Sequence, residues 1–381
     1  MRTITLLQPP RIVFGLDCAI QCVEELLALG RRRAFIVTSP PITGLADPLV
    51  KALKEQGASA TVYAEIATEP SVSTFEAAMD AAREAGPDAV VGLGGGSAMD
   101  VAKLVAALYD GQQDVREVFG IGQVASRALY LACLPTTAGT GSEVSPNAIL
   151  LDETEQLKKG IISPHLMPDA AYVDPMLTVA LPPAVTAATG LDALTHCIEV
   201  YANRFAHPVV DLYALQGIRL IAANLVRAVE PGGDLEARTN MALGSLYGGL
   251  GLAPVNTAAV HALAYPLGSE FHVAHGVSNA VLLPHVLRFN LPAAPRRYAE
   301  IALALGAEPG DSDLETAERG LDRLFELCHQ CGIPAGLSEL GVPEEAIPRM
   351  AEAAMTVTRL LKNNLREMAA TDAVAIYRAA F

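Results

Sequence analysis

The chain changes rhythm at Pro182 and Pro183, and that change constrains its fold more than any single motif. Before it, short apolar runs alternate with amphipathic stretches. "AFIVTS" (34–39) precedes "LADPLVKALKEQG", and "SATVYAEI" (59–66) precedes "VSTFEAAMDAAREAG". "DAVVGLGGG" (88–96) precedes "SAMDVAKLVAALYDG", and "ALYLACLP" (128–135) runs into "TTAGTGSE". Strand-length runs followed by helical periods read as a parallel sheet with helices on its faces. The opening "TITLLQPPRIVFG" reads as a pair of edge strands, antiparallel to each other. After the prolines the strand signal vanishes, and patterns such as "VVDLYALQGIRLIAANLVRAV" and "ETAERGLDRLFELCHQCG" have helical period. The expectation is an α/β domain over 1–182 and an all-α domain over 183–381.

Charge narrows the partners. A net charge of −15 over 381 residues argues against nucleic acid and anionic membrane, whose phosphates call for a basic surface. A single phosphate-bearing cofactor held by backbone amides stays compatible with it. With 51% hydrophobic and 18% charged residues and no low-complexity tract, the composition is that of a globular protein. No apolar stretch is expected to span a membrane, and "MRTITLLQPPRIVFG" lacks a signal-peptide core, so a cytoplasmic location is expected. The six cysteines form no disulfide framework. "CHQC" (328–331) closes a helical pattern instead of opening one and has no second pair, which makes it two half-buried thiols.

Two loops point to a nucleotide. "VVGLGGGSAMD" puts Gly92, Gly94, Gly95 and Gly96 directly after a buried strand, with Ser97 opening a helix. Glycines let a backbone approach a bulky anion and adopt positive φ, and amides at the helix start donate to a diphosphate. The spacing is neither GxGxxG nor a Walker loop. "LPTTAGTGSEVS" (134–145) repeats the plan, with the hydroxyls of Thr136, Thr137 and Thr140 among small residues. Together they suggest a dinucleotide across the sheet edge.

"GLDALTH" (190–196) raises a different question, because Asp192 and His196 lie four apart in an apolar run. Two readings fit. Asp192 stands in a first helical turn against the dipole while His196 bonds a carbonyl, or both ligate a metal. Three more histidines cluster in "VHALAYPLGSEFHVAHGVSN", where Pro266 and Gly268 should end a short helix carrying His261 and a new helix starts after His275. A helix, a turn and a return bring 261 and 275 to one point facing Asp192 and His196.

"GLGGGSAMDVAK", "PTTAGTGSEVS", "KKGIISPHLMPDAAYVDP", "GLDALTHCIEVY" and "HALAYPLGSEFHVAHG" together resemble the iron-containing (group III) alcohol dehydrogenase family, nearly end to end. The resemblance implies an N-terminal Rossmann-like domain, a C-terminal helical domain like that of dehydroquinate synthase, and a homodimer. It implies metal ligation by Asp192, His196, His261 and His275. It also implies pyrophosphate and ribose contacts at Gly94, Gly95, Gly96, Ser97 and Asp100, with further cofactor contacts at Thr136, Thr137, Thr140 and Lys159.

Two positions depart from the family pattern. Where many members carry a second histidine near the substrate, this chain has Tyr265; His272 is the alternative proton relay. After the first strand of the alternating series, where NAD-preferring members often carry an acid, this chain has Ser39, which leaves NADP open alongside NAD. The implied reaction is hydride transfer between nicotinamide and a small alcohol or aldehyde, with the metal polarising the substrate oxygen. An Asp/His₃ shell suits Fe²⁺ and Zn²⁺ alike, and the resemblance favours iron. Alternatives are a hydroxyacid–oxoacid transhydrogenase or hydroxyacid dehydrogenase of the same superfamily, and a dehydroquinate-synthase-like lyase, for which the helical half lacks a basic cluster.

Overall fold

The structure, a computed structural model, describes residues 2–67, 69–155, 157–230 and 233–381. Two compact units divide the chain: one of residues 7–137 and 142–179, the other of residues 2–6, 138–141 and 180–381. The division falls close to the proline pair. The segments 2–6 and 138–141, expected in the first domain, belong to the helical unit.

In the α/β unit, six strands lie parallel in one sheet: β1 (Arg11–Phe14), β2 (Arg33–Val37), β3 (Ser59–Tyr63), β4 (Ala89–Gly94), β6 (Tyr130–Pro135) and β9 (Ala170–Val173), ordered β1-β9-β6-β4-β2-β3. Alternation divides their side chains between two cores. Phe35, Val37, Val90 and Leu131 face helices α3 (Val72–Ala85) and α4 (Gly96–Leu108). Ala34, Ile36, Val91 and Ala132 face α1 (Gln21–Ala28) and α2 (Asp47–Glu55). Burial on both faces is why β2, β4 and β6 read as unbroken apolar runs. The direction of travel through the sheet reverses between β2 and β4, and ligands of such sheets bind at the carboxyl ends beside that reversal. Ser39 and the glycine turn sit there, just after β2 and at the end of β4.

Two expectations for this unit change. The opening is no antiparallel pair: only β1 forms, parallel to β9, and residues 2–9 make no strand. Pro9 and Pro10 interrupt the run, and proline cannot donate to a ladder. The small sheet of β5 (Gly120–Ile121), β8 (Leu157–Ile162) and β7 (Asn147–Asp152) was not anticipated.

The helical unit holds α5 (Pro183–Tyr201), α6 (Pro208–Val229), α7 (Leu235–Leu252), α8 (Ala259–Phe271) and α9 (His275–Asn290), with five shorter or peripheral helices after them. Pro183 takes the first position of α5, where a missing N–H costs nothing. Asp192 therefore lies in the helix interior, not in a first turn, which removes the dipole reading. Pro266 does not end α8, which continues to Phe271 while Leu263, Ala264 and Leu267 anchor it in the core. Contrary to expectation, α6 is long and apolar enough to cross a bilayer, but its Val210, Ala214, Ile218, Ile221 and Leu225 belong to the core of this unit.

Candidate metal centre and cofactor turn

Asp192 and His196 project from one face of α5, His261 from the start of α8, and His275 is the first residue of α9. Asp192, His261 and His275 bring one donor atom each within 4.8 Å of one another. Asp192 Oδ1 lies 3.6 Å from His261 Nε2, 3.7 Å from His275 Nε2 and 3.9 Å from His196 Nε2. The side chain of His275 is 32% exposed, whereas the other three are buried, so the cluster opens at His275. Burial would raise the Asp192 carboxyl, but His196, His275 and His261 outweigh it and hold it far below the usual range.

The second nitrogens of two rings are already committed. His196 Nδ1 is 3.2 Å from the Gly139 carbonyl, and His261 Nδ1 is 2.6 Å from Glu199 Oε2. A carbonyl and a carboxylate only accept, so both Nδ1 atoms carry hydrogen and both Nε2 atoms face inward, where they hold a cation or a proton. Those Nε2 atoms stand 3.0 Å apart. Two lone pairs at that distance repel unless positive charge lies between them. A proton would serve one pair; a divalent cation serves the whole quartet, and the donor set of one carboxylate and three imidazoles fits Fe²⁺ or Zn²⁺. Burial lowers His196, and it would lower His261 too, but Asp192 and Glu199 hold His261 up at about 9.

Three supporting groups escaped the sequence reading. Glu199 follows Asp192 by seven residues on the same face of α5, buried, and also accepts the Val260 N–H at 2.6 Å. Asn279 follows His275 by one turn of α9 and reaches the cluster. Gly139 stands in the segment 138–141, which packs so closely that a Cβ there would lie 2.8 Å from Thr189 Cβ. Helical spacing could have revealed the first two; a backbone carbonyl leaves no such signal.

In the α/β unit, the glycine turn works by close approach alone. A Cβ at Gly94 would sit 2.7 Å from Ala98 Cβ and one at Gly92 3.0 Å from Ala102 Cβ, and the expected positive φ is absent from Gly92, Gly94, Gly95 and Gly96. Gly95 caps α4 with no side-chain bond to the first amides, and Gly95, Gly96 and Ser97 are partly exposed. Facing Gly95 is Thr137, whose hydroxyl is buried without a partner among the described residues. An uncapped helix start beside an orphaned hydroxyl fits a diphosphate.

The other expected cofactor residues are engaged differently. Asp100 accepts from Ser142 Oγ (2.7 Å) and the Ile149 amide (3.0 Å), which ties α4 to the chain that follows β6. Thr136 is buried, its amide bonded to Gly94 O. Lys159 pairs with Asp152 and Glu155 at 2.8 Å each. Thr140 belongs to the helical unit, and Ser39 stands half-buried after β2. Tyr265 is half-buried one turn beyond His261, and His272 is exposed in the left-handed cap of α8. The CHQC thiols are buried and free; burial pushes Cys328 up to about 12 and Cys331 to about 11, which leaves them unreactive.

Comparison with known proteins agrees with this arrangement. The profile of iron-containing alcohol dehydrogenase matches residues 9–175, and that of the Fe-containing alcohol dehydrogenase family, C-terminal, matches residues 186–381. Long-chain-alcohol dehydrogenase 1 of Geobacillus thermodenitrificans is 41% identical over 379 residues, 98% of this chain and 95% of that protein. The crystal structure of a 1,3-propanediol oxidoreductase superposes with a TM-score of 0.96 at 36% identity, covering 100% of both chains. Sulfoacetaldehyde reductase from Bifidobacterium kashiwanohense, in complex with NAD+, gives 0.89 at 27% identity, covering 100% of this chain and 99% of that one.

A parallel-sheet unit joined to a helical unit with a carboxylate–imidazole cluster defines a class of oxidoreductases that work on alcohols and aldehydes. Within that class, the chain belongs to the iron-containing alcohol dehydrogenase family.

Proposed function

We propose that this protein interconverts small alcohols and their aldehydes with a nicotinamide dinucleotide, at an Fe²⁺ ion held by Asp192, His196, His261 and His275. The observation that carries the reading is the gathering of Asp192, His196, His261 and His275, with the tautomers of His196 and His261 locked from behind by Gly139 and Glu199. When bound, the cation supplies Lewis acidity and the nicotinamide exchanges the hydride.

The chain's own residues do the rest. Glu199 and the Gly139 carbonyl keep the imidazoles oriented, and Asp192 stays ionised. The first amides of α4, with Ser97 and the Thr137 hydroxyl, receive the diphosphate. Proton exchange with solvent falls to Tyr265, one turn beyond His261 on α8, or to His272 in the cap that follows that helix. NAD is the coenzyme proposed, supported by the relative in complex with NAD+. Ser39 presents no carboxylate to repel a 2′-phosphate, so NADP is accepted too. A cytoplasmic homodimer completes the reading, on the family resemblance, and light scattering tests the assembly.

The decisive experiment combines metal analysis with nicotinamide absorbance, using alcohols, aldehydes and hydroxyacids against both coenzymes. Turnover is expected to vanish in Asp192→Ala and His275→Ala together with the bound metal. Full activity in rigorously metal-free protein overturns the proposal.

A further inference from the structure

His261 is the third residue of α8, and the turn that leads into that helix is held largely from a distance. Ala258, the residue before α8, has no side chain able to cap it. Asn256 stands in the left-handed region at φ 74°, an uncommon conformation outside glycine. Three buried side chains from elsewhere in the helical unit fix this stretch. Glu199 takes the Val260 amide at 2.6 Å. Asn203 Nδ2 donates to the carbonyls of Asn256 and Glu199, at 3.0 Å each. Asn363 Nδ2 donates to the Thr257 carbonyl at 2.7 Å.

Asn363 is itself firmly anchored. Its carbonyl accepts the Arg204 amide at 2.8 Å. Its neighbour Asn364 and Asn290, the last residue of α9, exchange carboxamide hydrogen bonds of 2.7 Å in each direction. Asn203, Asn290, Asn363 and Asn364 are all buried. The pair Asn363-Asn364 thus holds the chain just after α5, just before α8 and at the end of α9, the three helices that carry the donors of the cluster. A buried carbonyl stripped of its donor is costly, and the chain shifts to find another. At Thr257 such a shift reaches His261, and metal donors must be held within about 0.5 Å of the bonding geometry.

Resting on the reading of Asp192, His196, His261 and His275 as a metal centre, we propose that Asn363 is a positioning residue of that centre. Its side-chain amide, through the Thr257 carbonyl, sets the start of α8 and so the place of His261. Asn363 acts through the backbone alone, so its loss weakens every cation the site takes instead of changing the preference among them.

The test measures metal binding and geometry in the full-length protein, not turnover. Fe²⁺, Zn²⁺ and Co²⁺ affinities are taken by chelator competition, and the Co²⁺ absorption bands report ligand geometry. Asn363→Leu keeps the volume and loses the donor. Leu321→Ala, in the core on the helix Asp313–Gln330, is the control that lowers stability without touching the turn. In Asn363→Leu all three affinities should fall about 10-fold, as for groups that support a metal site from outside, and the Co²⁺ bands should move. Leu321→Ala should melt lower yet keep wild-type affinities and bands. Wild-type affinity or unmoved bands in Asn363→Leu overturn the proposal. Equal losses in Leu321→Ala overturn it too, because Asn363 would then serve general stability only. Should Asn363→Leu not fold, Asn363→Asp takes its place with the same losses expected, since an ionised carboxylate cannot donate to a carbonyl. Failure of both to fold makes Asn363 a folding residue and overturns the proposal as well. A wild type that binds none of the metals refutes the metal centre and this role with it, a result distinct from undiminished binding in the variants.

Discussion

Glu199 Oε2 and His261 Nδ1 meet at 2.6 Å, both side chains buried, while Glu199 Oε1 takes the amide of Val260, the residue before that histidine. One carboxylate therefore orients the ring and the backbone that carries it. Glutamine cannot replace it: its single oxygen can meet one donor, and its NH₂ then faces the other. Glu199→Gln is expected to fold and to lose about 10–100-fold in metal affinity, the usual cost of disturbing such a partner. Dialysis against graded chelator reads the loss, and excess Fe²⁺ should restore much of the activity. Unchanged affinity would reduce Glu199 to a packing residue.

Gly276 holds the entry of α9 where His275 leaves it. A Cβ there would lie 2.2 Å from the Ala188 carbonyl oxygen and 2.6 Å from its carbon, and backbone atoms cannot step aside as a flexible side chain does. Gly276→Ala must shift α9 against α5, which moves His275 relative to Asp192. The expected cost is about 1–3 kcal/mol, as for other overpacked sites, by urea denaturation, together with reduced metal content. Stability unaltered beside full metal content would contradict the close approach.

The periodicity of the apolar runs revealed β2, β4 and β6, whose burial on both sheet faces leaves an uninterrupted signal, along with the alternating edge strand β3 and the main helices. The four donors of the cluster were readable as well, since ionisable groups in apolar runs demand partners. Other features were hidden for physical reasons. β9 is four small or aromatic residues, "AAYV", too short for any period to show. Gly139 contributes only a carbonyl, which every residue has. Asp100 carries the right chemistry for a ribose, and only the folded chain reveals that Ser142 and Ile149 also bond it. Sequence proximity also hides that Thr140 lies in a four-residue segment grouped with the helical unit.

Asp100 and Lys103 form a staple under α4. Lys103 Nζ is wholly buried, donates to Ser142 Oγ, Ser145 O and Asn147 O at 2.7–2.9 Å, and lies 3.8 Å from Asp100 Oδ1. Lys103→Met strips Asp100 of its buried counter-charge and two carbonyls of their donor, and should cost about 3–5 kcal/mol, as when one member of a buried ion pair is removed. Asp100→Asn should also destabilise, and the double variant should lose less than the sum of the two. Urea denaturation measures the cycle. If instead Asp100→Asn left stability intact and raised only the coenzyme KM, the ribose contact would be the better assignment.

Glu143 makes stability depend on pH. It is buried beside that staple, and burial pushes its carboxyl up from 4.5 to about 7, only partly opposed by its own backbone amide and by Lys103. The folded chain therefore holds this proton across a range where the unfolded chain has released it. Between about pH 4.5 and 7 the unfolded state binds fewer protons, so stability from this group is complete below 4.5, declines as pH rises through 7, and is level above. A shift of this size corresponds to about 3 kcal/mol at the alkaline end. Glu143→Gln keeps the shape without the charge and should remove that decline. Its stability relative to wild type should therefore grow from pH 5 to pH 8, on the order of the same 3 kcal/mol. A wild-type minus variant difference that stays flat across that range would mean that Glu143 is ionised at little cost in the folded protein.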